Sequence, residues 1–183
     1  MARHSEAVAK SYAKALFELA RERHQVDEIG AELASVAAII AQQPQLLAFL
    51  SRPWVAAPAK RGAAVELAAR LGLLPLTRDF LGLIATRNRA DHLSAIATAY
   101  RVMDDDAKGR VRVKLRTAIA LTDGARAGLS GRLSRMLEGK QLVIEESVDP
   151  QMLGGFVAEV GSRILDGSLD TQLDRMRDQL ARA

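Results

Sequence analysis

Residues 104–116 read DDDAKGRVRVKLR, and the hydrophobic period of the chain changes within this stretch. Before it, apolar residues recur every three or four positions, as they do along one face of an amphipathic helix. Within it, Val111, Val113 and Leu115 alternate with basic residues, which is the period of a strand with one buried face. The change predicts that a helical part of the chain ends here and that a part with β-strands begins.

The carboxylates at the start of this stretch predict a domain boundary. The side chains of Asp104–Asp106 repel one another, and a glycine follows them closely. The chain has 183 residues, a length that suits two small domains. We therefore expect an N-terminal domain over 1–105, a linker over 106–110 and a C-terminal domain over 111–183.

The N-terminal half has the pattern of a bundle of about six helices with short connections. Its apolar residues fall at helical spacing in successive segments, and turn-forming residues separate these segments. Pro44, Pro58 and Pro75 each open a helix, a position where the missing N–H of proline is tolerated. No segment of this half alternates in the manner of a strand.

The C-terminal half predicts a small α/β domain with short strands and two helices. One helix begins at Thr122 or Asp123, and the other is capped by Ser168. Strands are expected at 111–116, near 142–144 and on either side of Gly161. The predicted fold class is therefore α plus small α/β: a six-helix bundle, then a short-stranded β-sheet with two helices.

The sequence offers no catalytic, metal or cofactor site. Cysteine is absent, so disulfide bonds and thiolate metal sites are excluded. His4, His24 and His92 lie far apart, and none has a second ligand at the spacing that metal sites use. Gly139 and Lys140 resemble the end of a phosphate-binding loop, but glutamine follows them instead of serine or threonine. We expect a binding protein without a cofactor.

The distribution of charge leaves a second interpretation open. The formal net charge is +4, and within residues 108–140 only Asp123 and Glu138 oppose many basic side chains. Such a block attracts RNA or anionic lipid. An RNA-binding helical protein is the alternative function, and a peripheral membrane protein is a third. Because no aromatic residue interleaves with the block, a stacking surface for single strands is poorly supported.

Two helices carry apolar surfaces with two possible uses. On the first helix, Val8, Tyr12 and Leu16 form a sector that neighbouring residues extend to roughly half the circumference. Burial between neighbours of its own bundle is favoured by the pattern alone, and a groove for a partner helix is the other interpretation. The stripe from Leu169 to Leu180 on the last helix likewise fits either its own sheet or a partner helix.

Three strings carry a family resemblance. Residues 11–17 read SYAKALF, residues 80–89 read FLGLIATRNR, and residues 148–169 contain VDPQMLGGF and ILDGSL. They are similar to the YAxALF helix, the FLxLLxxNxR segment and the C-terminal signature of the delta subunit of F-type ATP synthases. In mitochondria this family is called oligomycin-sensitivity-conferring protein. The residues that match its C-terminal signature are Gly154, Gly155, Asp166, Gly167, Ser168 and Leu173. Asp170 departs from the pattern, since many members have a basic residue there.

The resemblance implies a non-catalytic stator adaptor that links the catalytic head of the ATP synthase to its peripheral stalk. The first and fifth helices would form a groove for the N-terminal helix of an alpha subunit, and the beta subunits are a further candidate partner. The C-terminal domain would hold the b-type stalk subunits. Carried over to this chain, the groove residues are Ala9, Tyr12, Ala13, Leu16, Phe80, Leu83 and Ile84.

The resemblance also implies a location. The chain would be a peripheral subunit at the cytoplasmic face of the bacterial inner membrane, and it would meet the membrane only indirectly, through the complex. No contact with nucleic acid is expected from this family.

Overall fold

The described N-terminal part of the chain is built from helices. The computed structural model describes residues 2–136, 141–161 and 163–181, and the chain divides into two units, Met1–Asp104 and Asp105–Ala183. The helices are α1 (Ala2–Glu22), α2 (Val26–Gln42), α3 (Pro44–Ser51), α4 (Ala57–Arg70), α5 (Pro75–Thr86) and α6 (Leu93–Ala107), with a 3-10 turn at Ala90–His92. Proline stands at the first or second position of α3, α4 and α5, as the sequence predicts.

α6 continues through the three aspartates that the sequence places at a boundary. It ends at Ala107, and the first strand, β1 (Arg110–Thr117), begins three residues later. Only Lys108 and Gly109 lie between the two elements, so the connection is shorter than the 106–110 linker predicted from the sequence. Gly109 turns the chain out of the helix with a φ of 62°, a conformation that favours glycine.

Arginines of β1 explain why the aspartates do not break the helix. The buried carboxylate of Asp105 accepts a hydrogen bond of 2.9 Å from Nε of Arg112. It also lies 3.1 Å from the guanidinium of Arg110. These two positive charges offset the repulsion between neighbouring carboxylates, and the hydrogen bonds raise the pKa of Arg112.

The core of the N-terminal unit contains buried apolar residues from each of the helices α1 to α6. Tyr100 of α6 is fully buried there, and its hydroxyl donates to the carbonyl of Val26 at 3.0 Å. Its ring meets Phe17 of α1 edge to face, with centroids 5.4 Å apart. Burial raises the pKa of Tyr100 far above its ordinary value. One side chain therefore joins three helices.

Lys60 of α4 is a buried charge that joins two turns. The residue is 1% exposed, and its ammonium group donates to the carbonyl of Arg52 at 2.5 Å and to the side-chain oxygen of Asn88. Asn88 has a φ of 55° just after α5, and asparagine tolerates this left-handed conformation better than most residues. Lys60 thereby holds the turn after α3 and the turn after α5 against α4.

Glu32 of α2 caps the start of α5. One carboxylate oxygen accepts a hydrogen bond of 2.8 Å from the backbone N–H of Leu74, and the other accepts from the hydroxyl of Thr77. No side chain of α5's own N-cap residue does this. A carboxylate at a helix N-terminus is favoured by the unpaired N–H groups and by the helix dipole.

Glu32→Ala is expected to lower the free energy of unfolding by about 2 kcal/mol, because the N–H of Leu74 and the hydroxyl of Thr77 lose their partner. Urea unfolding followed by circular dichroism measures the change. Glu32→Gln keeps an acceptor oxygen and is expected to lose less than half as much. Equal stability of Glu32→Ala and the wild type would show that this cap does not stabilise α5.

The C-terminal unit contains a four-stranded sheet and two helices within the described residues. Its elements are β1, α7 (Asp123–Met136), β2 (Gln141–Val148), β3 (Phe156–Val160), β4 (Arg163–Asp166) and α8 (Leu169–Ala181). The strand order is β2-β1-β3-β4, with β1 and β2 parallel and the remaining pairs antiparallel. The parallel pair needs a crossover connection, and α7 lies within it. A mostly helical chain with a small sheet at its C-terminal end confirms the predicted fold class at this level.

The core of the C-terminal unit is small. Val113 and Leu115 of β1 are fully buried together with Ala158 of β3 and Leu133 of α7. Leu115 and Ala158 are directly paired across the two strands, which puts them on the same face of the sheet. A core of this size gains stability when a partner covers more apolar surface.

Candidate functional site

An apolar groove lies between α1 and α5. Its volume is about 420 Å³. The residues that line it are Ser11, Tyr12, Ala15, Leu16 and Leu19 from α1, and Leu76, Asp79, Phe80 and Leu83 from α5. Tyr12 and Phe80 meet edge to face across it, with ring centroids 6.4 Å apart. Leu19 is 43% exposed and Leu83 is 44% exposed, so large apolar side chains face outward here.

The residues that the family resemblance assigns to a groove divide into two groups. Tyr12, Leu16, Phe80 and Leu83 line the groove between α1 and α5. Ala9, Ala13 and Ile84 are not part of the groove lining and lie in the core, to which the lining residues Leu16 and Phe80 also belong. The broad apolar sector of α1 therefore serves both uses that the sequence leaves open: part of it packs inside the bundle, and part of it faces the groove.

Sequence reasoning missed two groove residues on α5, Leu76 and Asp79. Together with Phe80 and Leu83 they occupy positions i, i+3, i+4 and i+7 of one helix face. This spacing is visible in the sequence and could have predicted that Leu76 and Asp79 face the groove. Asp79 is the charged residue of the groove lining, and its carboxylate lies 3.2 Å from the guanidinium of Arg78.

A second groove, of about 500 Å³, lies between α2 and α6. Small side chains dominate its walls, among them Gly30, Ala34, Ala38 and Ala97. These side chains offer less contact area to a partner than the aromatic and leucine side chains of the first groove do. The groove between α1 and α5 is therefore the stronger candidate for a helix-binding site.

In the C-terminal signature, the turn before α8 packs closely against Gly154 and Gly155. Gly155 has a φ of 83°, and a Cβ atom there would overlap the carbonyl oxygen of Gly167. A Cβ on Gly154 would lie 2.7 Å from Cδ1 of Leu169. The backbone N–H of Gly167 donates to the carbonyl of Phe156 at 2.9 Å. Glycine is thus required at 155, because the backbone of the turn before α8 packs directly on it, whereas a Cβ at 154 would displace the side chain of Leu169.

Asp166 and Ser168 hold the start of α8. Asp166 accepts hydrogen bonds of 2.9 Å from the backbone N–H of Ser168 and from the hydroxyl of Thr171. The hydroxyl of Ser168 accepts from the backbone N–H of Thr171 at 3.3 Å, the geometry of an N-cap. The structure therefore brings Gly154, Gly155, Asp166, Gly167 and Ser168 together. Leu173, the last signature residue, lies further along α8 with an exposed side chain.

Asp166 makes a testable contribution to acid stability. The N–H of Ser168, then the hydroxyls of Ser168 and Thr171, hold the pKa of Asp166 below its ordinary value. Ionised Asp166 therefore stabilises the folded unit above the ordinary aspartate pKa, and this contribution is lost as the pH falls through the lowered folded-state pKa. We expect Asp166→Asn to be less stable than the wild type at neutral pH and to approach it as the pH falls from about 4 through the lowered pKa of folded Asp166. Urea unfolding at a series of pH values measures this, and a constant difference across the series would contradict it.

The basic row of β1 is paired with acidic side chains on neighbouring elements. Arg112 lies 2.7 Å from Glu145 of β2, and Lys114 lies 3.9 Å from Glu159 of β3. On α7, the guanidinium of Arg126 lies 2.7 Å from Glu146. This pairing lowers the positive potential that an RNA backbone would meet. The RNA-binding alternative thereby loses much of its electrostatic support.

The described residues contain no group of three or more histidine, aspartate or glutamate side chains placed to hold a metal ion. Over the same residues, no single helix is both long and apolar enough to cross a membrane. The pair α2 and α3 passes that test together by length and composition, with a bend of 102° between its two members.

Comparison with known proteins gives matches over nearly the whole chain. The sequence profile of the family described as ATP synthase delta (OSCP) subunit matches residues 8–180. The ATP synthase subunit delta of Solidesulfovibrio magneticus is 35% identical over 177 residues, covering 96% of each chain. That of an Anaeromyxobacter species is 39% identical over 173 residues, covering 94% of this chain and 96% of the relative.

A solved structure supports the same fold. A chain of the Toxoplasma gondii mitochondrial ATP synthase hexamer, determined by cryo-electron microscopy, superimposes with a TM-score of 0.69. The match covers 94% of this chain and 97% of that chain, at 23% sequence identity. At this identity the likeness concerns the fold alone.

These matches confirm the resemblance that the sequence strings carry. They also confirm that the chain has a structural role and not a catalytic one. The chain belongs to the ATP synthase delta (OSCP) family, whose members are structural, non-catalytic subunits of the ATP synthase peripheral stalk.

Proposed function

We propose that this chain is the adaptor that links the catalytic head of an ATP synthase to the b-type subunits of its peripheral stalk. Its N-terminal unit binds the N-terminal helices of alpha subunits as a six-helix bundle, and the beta subunits are a further candidate contact. Its C-terminal unit binds the stalk. The relatives named ATP synthase subunit delta are bacterial, which supports a peripheral position at the cytoplasmic face of the inner membrane.

The groove between α1 and α5 is the observation that supports the proposed contact with the catalytic head. Its apolar lining fits the apolar face of an amphipathic helix, the common helix-in-groove mode of peptide recognition. Burial of Leu19 and Leu83, which are both about half exposed in the free chain, would supply apolar contact area. The neighbouring side chains of the N-terminal unit already fix the groove: Glu32 caps α5, and Lys60 holds the turn that follows it.

An adaptor of this kind resists torque and changes no bond. A chain that binds the head and the stalk of one complex at two separate interfaces is held in that complex more tightly than by either contact alone. Once one partner is bound, the other is held at a high effective concentration. Rotation within the enzyme is then coupled to ATP synthesis, because a head that is held by the stalk does not turn with the rotating part.

Isothermal titration of the full chain with a synthetic peptide of the alpha-subunit N-terminus tests the head contact. We expect saturable binding to one groove and a negative heat-capacity change, the signature of apolar burial. Trp54 is not a suitable reporter, because it lies in the loop after α3, near Arg52 and outside the groove lining. Absence of binding at micromolar peptide would contradict the proposed head contact.

A further inference from the structure

The groove between α1 and α5 continues into a polar pocket beside α4. This pocket has a volume of about 240 Å³, and it shares Asp79 and Leu83 with the groove. Its other walls are Arg61 of α4 and Gly82 and Thr86 of α5. Next to Leu83, the apolar groove therefore borders a pocket that charged side chains line.

Arg61 reaches this pocket by lying across α5. A Cβ atom at Gly82 would lie 3.5 Å from Cγ and 3.8 Å from Nε of Arg61, so the stem of the arginine packs against the helix at the glycine. The residue as a whole is exposed. A long basic side chain commonly packs its stem in this way and keeps its charged head in water. The guanidinium of Arg61 is thus placed at the edge of the groove.

Arg87 adds a second positive charge at the same end of the groove. Its backbone N–H donates to the carbonyl of Leu83 at 3.1 Å, which continues the helical bonding pattern of α5 by one residue. Phe80, Leu83 and Arg87 therefore stand at positions i, i+3 and i+7 of one face. Arg87 is exposed. One arginine thus lies beside Leu83, and the other lies one turn beyond it.

The early turns of α1 lie opposite this end of α5. Glu32, about two turns into α2, caps the start of α5. Because only three residues join α1 to α2, that level lies about two turns before the end of α1. Phe80 of α5 then meets Tyr12, which is nearer the start of α1. α5 therefore runs towards the start of α1, where Glu6 and Lys10 pair with each other at 3.1 Å.

The charges at this end do not cancel. Asp79, the acidic side chain of the pocket, lies 3.2 Å from the guanidinium of Arg78. In the part of the chain that the structure describes, neither Arg61 nor Arg87 forms an ion pair. With the pairs Asp79–Arg78 and Glu6–Lys10 neutral, the two remaining arginines make this end of the groove positive. Opposite charges across an interface fix register and orientation.

We infer that the helix bound in the groove carries carboxylates at the end that lies over Leu83, and that Arg61 and Arg87 receive them. The occupant is an amphipathic N-terminal helix of an alpha subunit with aspartate or glutamate about one turn beyond the apolar residues that cover the groove. The apolar lining supplies contact area, and the two arginines determine which way the helix points. This inference rests on the proposed head contact and deepens it.

Isothermal titration of the full chain with the alpha-subunit N-terminal peptide tests the two arginines. Arg61→Glu and Arg87→Glu are each expected to raise Kd by about fivefold at low salt and to approach the wild type at about 0.5 M salt. Arg70→Glu is the matched control, because it makes the same change on α4 at a residue that lines neither the groove nor the pocket. Its Kd is expected to stay within about twofold of the wild type.

A charge exchange separates this contact from a general effect on folding. Two further peptides each have the carboxylates of one end replaced by lysine. One of them is expected to bind the double variant Arg61→Glu/Arg87→Glu about tenfold more tightly than it binds the wild type, and the other is not. A misfolded variant cannot give this reversal.

Failure of both peptides to show the reversal, or equal effects of Arg61→Glu and Arg70→Glu, would overturn the inference. The groove contact itself would still stand if Leu83→Asp weakened binding of the unmodified peptide. If the wild-type chain does not bind the unmodified peptide at all, the proposed head contact fails together with the inference.

Discussion

Leu83→Asp is expected to weaken binding of the alpha-subunit N-terminal peptide by about a hundredfold, or about 3 kcal/mol. The side chain of Leu83 lies in the apolar lining of the groove, so a bound helix would bury the new carboxylate in an apolar contact. Because Leu83 is nearly half exposed in the free chain, its replacement leaves the folded state close to the wild type in stability. Isothermal titration of the full-length variant measures the loss.

Two further variants locate this effect. Tyr12→Asp, on the opposite wall of the groove, is expected to weaken the same binding, although its loss of the contact with Phe80 also lowers stability. Val102→Asp is the matched control, because it replaces an exposed apolar side chain of α6 that is not part of the groove lining. Unchanged affinity of Leu83→Asp, or an equal loss in Val102→Asp, would place the peptide on another surface.

Gly155→Ala is expected to destabilise the C-terminal unit by more than about 3 kcal/mol. The φ of 83° is unfavourable for any residue with a Cβ, and that Cβ would overlap the backbone of Gly167, which cannot move without breaking its bond to Phe156. Loss of the cooperative unfolding transition of this unit in urea measures the effect.

The matched control is Gly131→Ala in α7. No atom outside the helix lies within 4 Å of a Cβ at that position, so alanine is expected to stabilise the chain by about 0.5–1 kcal/mol through its higher helix propensity. If Gly155→Ala is as stable as Gly131→Ala, the tight packing of the signature loop is not what holds α8 in place.

Much of the fold follows from local sequence rules. The change of hydrophobic period after residue 109 predicts where strands begin, and the prolines at 44 and 75 mark the starts of α3 and α5. These features depend on spacing and on backbone chemistry, which are visible in a single sequence. The strings that match the family, above all the Gly-Gly pair and the Asp-Gly-Ser turn, are also visible in a single sequence, and they led to the family assignment.

Other features depend on contacts between residues far apart in the chain, and no local pattern signals them. Glu32 caps a helix more than forty residues away, and Lys60 is buried because Asn88 and Arg52 supply oxygen atoms to it. The persistence of α6 through its aspartates likewise depends on arginines of the next strand.

The composition of the groove could be predicted only in part. A helix with apolar residues over half its circumference must face two directions, but the sequence does not say which residues face the core. The structure assigns Ala9 and Ala13 to the core and Leu19 to the groove. Small residues allow helices to approach closely, so Ala9 and Ala13 act as packing residues inside the bundle, whereas Ala15 lines the groove.

The most direct test of the adaptor function is whether this chain bridges head and stalk. Mass photometry of the full chain mixed with the purified catalytic head and detergent-solubilised b-type subunits measures the mass of the assembly. We predict a single species that contains all three components, that is absent when the chain is omitted and that is lost with Leu83→Asp. Competition between head and stalk for the chain, or assembly of head with stalk in its absence, would contradict the adaptor function.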